Sequence, residues 1–294
     1  MITTGKGITG LGRPLLVCVL GISLFGCSNG FREITKTAPA NELIHVAALS
    51  GESAGFAVGY GGTVQYTTDG GKTWTAGVNR SMCQFSLYSL DDKTCYAAGN
   101  GSHVIMTKDG GKLWTHLANI PNGRAKGISF ANGSDGWVWT KTALYSTRNG
   151  GKTWQTVALP PGCTILESAY LQSVGNGFLC GLDGYIHRTR DGGRTWERTI
   201  QFLDTKDQTF KAVLAGGVQG TAIRFSGEQG IAAVIGLKNG KAAIKILRTS
   251  DDGENWSEPE FHLTDLPAKT ITISPEMKIA QFNSDSTVSM FALK

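Results

Sequence analysis

Side chains able to do covalent, acid–base or metal chemistry are sparse in this chain and seldom paired. The five His stand at 45, 103, 116, 187 and 262, and neither they nor the Cys show a C-x-x-C or Cys/His spacing of the kind zinc uses, so no metal is expected. No Gly-x-Ser-x-Gly elbow presents a nucleophile. Gly59-Tyr-Gly61 and Gly181-Leu-Asp-Gly184 lack the following helix of a phosphate loop, and no cofactor is expected. Outside turns, the acids worth weighing are Glu167, Asp183 and Glu197. Two of them could flank a glycosidic bond, but nothing in their spacing requires it.

The elements that would position such groups are easier to read. Glycine supplies 40 of 294 residues, about twice ordinary usage, without a three-residue period, which excludes collagen. Charged residues are only 17% and hydrophobic residues 40%, a balance that excludes disorder and coiled coils. The net charge of +5 is too weak to argue for nucleic acid. Many short strands joined by tight turns fit this composition.

Self-similarity decides the architecture. Five segments align: Thr67-Thr-Asp-Gly-Gly-Lys-Thr-Trp74, Thr107-Lys-Asp-Gly-Gly-Lys-Leu-Trp114, Thr147-Arg-Asn-Gly-Gly-Lys-Thr-Trp154, Thr189-Arg-Asp-Gly-Gly-Arg-Thr-Trp196 and Thr249-Ser-Asp-Asp-Gly-Glu-Asn-Trp256. Their tryptophans are 40, 40, 42 and 60 residues apart, and each repeat holds four strand-like runs. That is the content of a propeller blade. Asp69, Asp109, Asn149, Asp191 and Asp251 tolerate the tight turn and accept backbone hydrogen bonds. Trp74, Trp114, Trp154, Trp196 and Trp256 are expected to wedge between neighbouring sheets. Asn149 keeps the turn chemistry without the charge, which argues against a carboxylate-dependent active site in the box.

The pattern Ser/Thr-x-Asp-x-Gly-x-x-Trp resembles the Asp-box, or bacterial neuraminidase repeat. The lead-in Gly55-Phe-Ala-Val-Gly-x-x-Gly62 makes the chain most similar to the photosystem II assembly/stability factor group. The resemblance runs from about Leu43 to Trp256 and implies an all-β propeller of four-stranded blades whose boxes lie away from any active site. Spacing predicts six blades, with seven as the alternative, and an insertion around Leu237 to Ala243 in the fifth. Residues 268–294 supply three strands without a box, and Phe31 to Thr37 is a candidate fourth that closes the ring and hides its edge. Sialidases share the box, but the Arg-Ile-Pro sequence of their first arginine is absent.

The chain opens with Lys6 and Arg13, no acid, and an apolar run from Leu15 to Gly26, too short to span a bilayer. Leu24-Phe25-Gly26-Cys27 resembles a bacterial lipobox, although Phe25 departs from the small residue usual there. The implied division is a signal peptide at 1–26, a lipidated tether at 27–42 beginning with acylated Cys27, and the propeller at 43–294. Ser28 after the Cys implies the outer membrane in a Gram-negative host, and the cell envelope in general. Cys83, Cys95, Cys163 and Cys180 remain as disulfide partners or buried thiols.

In a propeller, the turns between second and third strands share a face with the connections between blades. That face presents Tyr60, Arg80, Asn100, His103, Arg124, Lys126, Lys141, Asp183, Tyr185, Lys211 and Lys238, mostly cationic, and forms the candidate binding face. The expected function is a lipid-anchored, non-catalytic protein-binding or assembly module of the envelope, whose partner has an acidic surface. The alternative is a sialidase-like glycosidase or glycan-binding propeller.

Overall fold

The computed structural model describes residues 31–36, 44–50, 53–79, 84–203, 209–212, 221–264, 268–273, 277, 279–283 and 288–293. The chain forms a β-propeller whose named strands all pair antiparallel within small sheets. The first blade comprises Ile44–Ser50, Ala54–Gly59, Val64–Thr67 and Thr75–Ala76. The second comprises Gln84–Ser89, Cys95–Gly99, His103–Thr107 and Trp114–Asn119. Gly127–Phe130, Gly136–Trp139, Leu144–Thr147 and Gln155–Val157 build the third. The fourth runs Leu166–Leu171, Gly177–Gly181, Tyr185–Thr189 and Glu197–Gln201. At the far end, Phe31–Lys36 pairs antiparallel with Val288–Leu293, which continues through Ile279–Asn283 to Ala268–Ile273, so both ends of the chain share one sheet.

The expectation of six, or seven, four-stranded blades is corrected here. Five blades are four-stranded, and the sheet between the fourth blade and the terminal one has five strands. Its long strand Gln229–Lys238 carries two segments end to end along one edge. Phe210–Ala212 covers Lys238 to Gly236, and Thr221–Ser226 covers Val234 to Gln229. One inner strand has thus been interrupted by the chain between 212 and 221, and this accounts for part of the 60-residue step between boxes. The stretch Leu237 to Ala243 is not an insertion. It is the closed end of the hairpin between Gln229–Lys238 and Lys241–Thr249, turned at Asn239-Gly240.

Each blade is covered on both faces, which explains its sequence. Second strands read as continuous apolar runs because their two sides meet two neighbours: Phe56, Ala57 and Val58 are all 0% exposed. The first strands abut one another around the ring and form its inner wall. Aromatic pairs fill the seams between blades. Phe56 of the first blade meets Trp114 of the second edge-on at 6.3 Å, Tyr96 stacks on Phe130 across the next seam, Trp137 meets Trp196 at 5.8 Å, and Phe178 stacks on Phe225 at 4.2 Å. Trp154 and Trp256 stand edge-on to Phe130 and Phe225, backing those stacks from within their own sheets. The second box glycine sits at the same seam: at Gly111, with φ of +91°, a Cβ would lie 2.7 Å from the Tyr66 Cβ of the preceding blade.

Cys95, Cys163 and Cys180 are buried free thiols, so of the two alternatives these three take that of the thiol; Cys83 lies outside the described residues. Trp114 is 3% exposed within an apolar cluster shared by the first two blades. Trp114→Ala is therefore expected to cost about 3–5 kcal/mol in chemical denaturation; a loss under about 1 kcal/mol would show that the indole is not part of that packing.

Candidate functional site

The five boxes share one hydrogen-bond scheme. In the first, Thr67 Oγ1 donates to Asp69 Oδ1 at 2.7 Å and accepts from Gly71 N at 2.9 Å, while Asp69 Oδ1 accepts from Thr73 N at 2.9 Å. The relay recurs at Thr107–Asp109, Thr189–Asp191 and Thr249–Asp251. At Thr147–Asn149 the amide oxygen replaces the carboxylate without altering the pattern. A backbone bond then ties each box to the first turn of its own sheet, as in Gly110 N to Lys93 O at 3.0 Å and Asp252 N to Glu228 O at 2.8 Å. These bonds saturate the acids: the Thr73 hydroxyl and amide, with Thr67, hold Asp69 far below the ordinary carboxylate range, and Thr195 does the same for Asp191. The boxes brace hairpins. Beside them Lys72, Lys108, Lys112, Arg148, Lys152, Arg190 and Arg194 are exposed.

The opposite face is less open than its composition implies. Tyr60, Asn100, Arg124 and Lys141 are exposed there. Lys126 instead turns inward, donating to Glu167 Oε2 at 2.6 Å and to Leu166 O at 3.2 Å across the seam between third and fourth blades. Glu167, 2% exposed, is the bulged residue of its strand, and a bulge re-aims a side chain. Asp183 Oδ2 and His187 Nε2 share a hydrogen bond at 2.8 Å, and Tyr185 lies under the Arg198 guanidinium at 4.7 Å. Lys238 sits 4.0 Å over the Phe261 ring and bonds Thr209. His103 packs edge-on to His116 and is half-buried. Arg80, the Lys211 side chain and Cys27 lie outside the described residues.

The arrangement is matched by a family model described as photosynthesis system II assembly factor YCF48, which aligns with residues 33–158 and 152–280. The chain belongs to this family. It is 34% identical over 95 residues to the photosystem II assembly protein Ycf48 of Thermosynechococcus vestitus, covering 31% of this chain and 27% of that protein. It is 34% identical over 64 residues to the photosystem II assembly lipoprotein Ycf48 of Synechocystis, covering 22% and 19%. The aligned stretches thus span under a third of these relatives. The solved structure of YCF48 bound to D1 peptide superposes with a TM-score of 0.55 at 14% identity, covering 91% of this chain and 98% of that one, which supports the fold alone.

The description names an assembly factor, and the three acids weighed for glycosidase chemistry are each engaged by a basic side chain within this YCF48-family chain. Glu167 is paired with Lys126, Asp183 with His187, and Glu197 with Arg190 on the box side. Three groupings were not foreseen from sequence. The Lys126–Glu167 pair joins residues 41 apart. Cys163, Asp183 and His187 converge although no short motif links them; burial pushes the Cys163 thiol up to about 12 and the His187 imidazole down. The third centres on Arg188, 2% exposed in the fourth blade, which reaches Asp252 and Glu254 of the fifth box and Asn176 of its own sheet. Asp252 occupies the place of the first box glycine, holds φ of +60°, and also accepts from Gln172 and Asn176. The one signal available in the sequence was that substitution of Asp for Gly.

Two outcomes follow from this chemistry. Asp252→Gly relieves a left-handed residue yet leaves the buried Arg188 short of an acceptor, so a net destabilisation of about 1–3 kcal/mol is expected in urea unfolding; a gain in stability would show that the backbone term dominates. Asp251 is held at about 2 by the Asn255 amide and side chain and by Thr249, against an ordinary 3.8. A depressed carboxylate contributes stability that is fully present above its unfolded value and is lost as pH falls through the folded one. Between pH 4 and 2 the denaturation midpoint should therefore fall more steeply for the wild type than for Asp251→Asn, whose neutral amide copies the Asn149 box.

Proposed function

We propose that this chain is a lipid-anchored, non-catalytic assembly module of the bacterial cell envelope, which docks an acidic segment of a membrane-protein partner. The observation that carries the reading is the exposure of cationic side chains on the face of the inter-blade connections: among the described residues Arg124 and Lys141 are exposed there, as is Tyr60, while Glu167 and Asp183 pair with Lys126 and His187. Membership of an assembly-factor family supports the same reading, as does a relative solved with a bound peptide. A Synechocystis relative named a lipoprotein supports acylation of Cys27 as the tether. An exposed aromatic ring and exposed cations on one face suit a peptide carrying carboxylates and an apolar side chain.

The experiment is fluorescence anisotropy with acidic and neutral versions of one peptide library drawn from the host's membrane proteins. Arg124→Glu combined with Lys141→Glu should weaken the acidic hits by about tenfold or more, and added salt should weaken the wild type too. Equal binding of acidic and neutral peptides would overturn the charge argument. Turnover of a glycoside panel would overturn the non-catalytic one, and Cys27→Ser protein that stays in the membrane fraction would overturn the tether.

A further inference from the structure

Cys163, Asp183 and His187 lie where the connection from the third blade meets the fourth, and each reaches the spot by a different device. Pro160-Pro161-Gly162-Cys163 closes a turn through Cys163 N to Pro160 O at 3.0 Å, with Gly162 at φ of +85°, the conformation a Pro-Gly turn requires. Asp183 stands on the Gly181–Gly184 turn, closed by Gly184 N to Gly181 O at 3.0 Å. His187 projects from the strand Tyr185–Thr189 and is 1% exposed; Cys163 is 4% exposed. One sulfur, one nitrogen and one oxygen of the three lie within 4.8 Å of one another. The backbone makes room for them: a Cβ on Gly181 would lie 2.5 Å from Cys163 Sγ and 2.7 Å from Asp183 Oδ1. Any other residue there would drive the thiol and carboxylate apart.

We propose that these three side chains form a binding site for a divalent transition-metal cation of the zinc class. The donor set selects the ion. Calcium and magnesium take oxygen ligands, and copper(I) prefers sulfur alone, whereas mixed sulfur, imidazole and carboxylate donors suit zinc or cobalt(II). Three protein ligands leave a fourth tetrahedral position for water or a partner's side chain. Asp183, the most accessible of the three, lies on the solvent side of the cluster. In the metal-free form its carboxylate and the imidazole are hydrogen-bonded at 2.8 Å. Metal bonds near 2.0 Å would separate two such donors by roughly 3.3 Å, a small opening for a side chain on a turn. A cysteine nucleophile built from the same residues would need its sulfur open to substrate, and Cys163 is buried. The site needs none of the exposed cations on which the docking reading rests, and the two readings share only Asp183 and His187.

The test is a cobalt(II) titration of the full chain in detergent, reduced and stripped with chelator. The wild type should develop a near-ultraviolet thiolate-to-cobalt band and the visible bands of a four-coordinate ion, saturating near about one cobalt per chain and bleached by zinc. Cys163→Ser should lose the near-ultraviolet band. Asp183→Asn, on the accessible turn, should retain the band but bind cobalt about tenfold more weakly or worse. Cys180→Ser should leave both unchanged. Circular dichroism checks that each variant keeps its sheet. Absence of the band in the wild type, its survival in Cys163→Ser, or unchanged affinity in Asp183→Asn would each overturn the site.

Discussion

A four-stranded sheet of this size has two apolar faces and no core of its own, and every other feature of the molecule follows from covering them. Phe56, Phe130 and Phe178 are fully buried because a neighbouring blade supplies the other half of their surroundings. Dispersion and apolar burial at each seam fix the spacing between sheets. The boxes hold that spacing by locking one hairpin per sheet, so that the second box glycine meets a side chain of the preceding blade at Gly111, Gly151, Gly193 and Gly253. Function is then confined to what the seams do not consume: the turns and connections at the two ends of the ring.

This division accounts for the fate of the charged groups. On the box side the acids are saturated by backbone donors, and the neighbouring lysines and arginines point to solvent. On the other side two pairs lie between or against blades, Lys126 with Glu167 and Asp183 with His187. Pairing at a seam removes charge from the surface without removing it from the fold, and a buried pair that loses one member leaves an uncompensated ion. Among the described residues of the candidate face, the exposed charges are those of Arg124 and Lys141, although the whole chain is only mildly basic. The Arg188 cluster applies the same logic at one seam: a guanidinium buried in one blade is neutralised by the box of the next, at the one box whose glycine became aspartate.

The propeller class and the boxes were legible because they repeat. Five copies of Thr-x-Asp-x-Gly-x-x-Trp carry their own hydrogen-bond logic, and the Asn149 copy already implied that charge was dispensable. The strand count of the fifth sheet was not legible. Its extra length was assigned to Leu237–Ala243, because apolar runs on either side of Asn239-Gly240 look like an excess loop, whereas the register shows a long hairpin and a divided inner strand. Turns and connections can be placed from the sequence pattern, but the direction in which a side chain points from them cannot. Lys126 and Asp183 sit on that side in sequence order, yet their tips are spoken for by Glu167, on a strand bulge, and His187, four residues on. Long-range pairing and bulges leave no local mark in a chain, and the Cys163 cluster was hidden for the same reason.

The sheet shared by Phe31–Lys36 and Val288–Leu293 has a temporal corollary. The first of these strands leaves the ribosome well before the second, so it waits for this partner until the five sheets between them have been made. Loss of Val288–Leu293 would leave two edges open at once, those of Phe31–Lys36 and Ile279–Asn283.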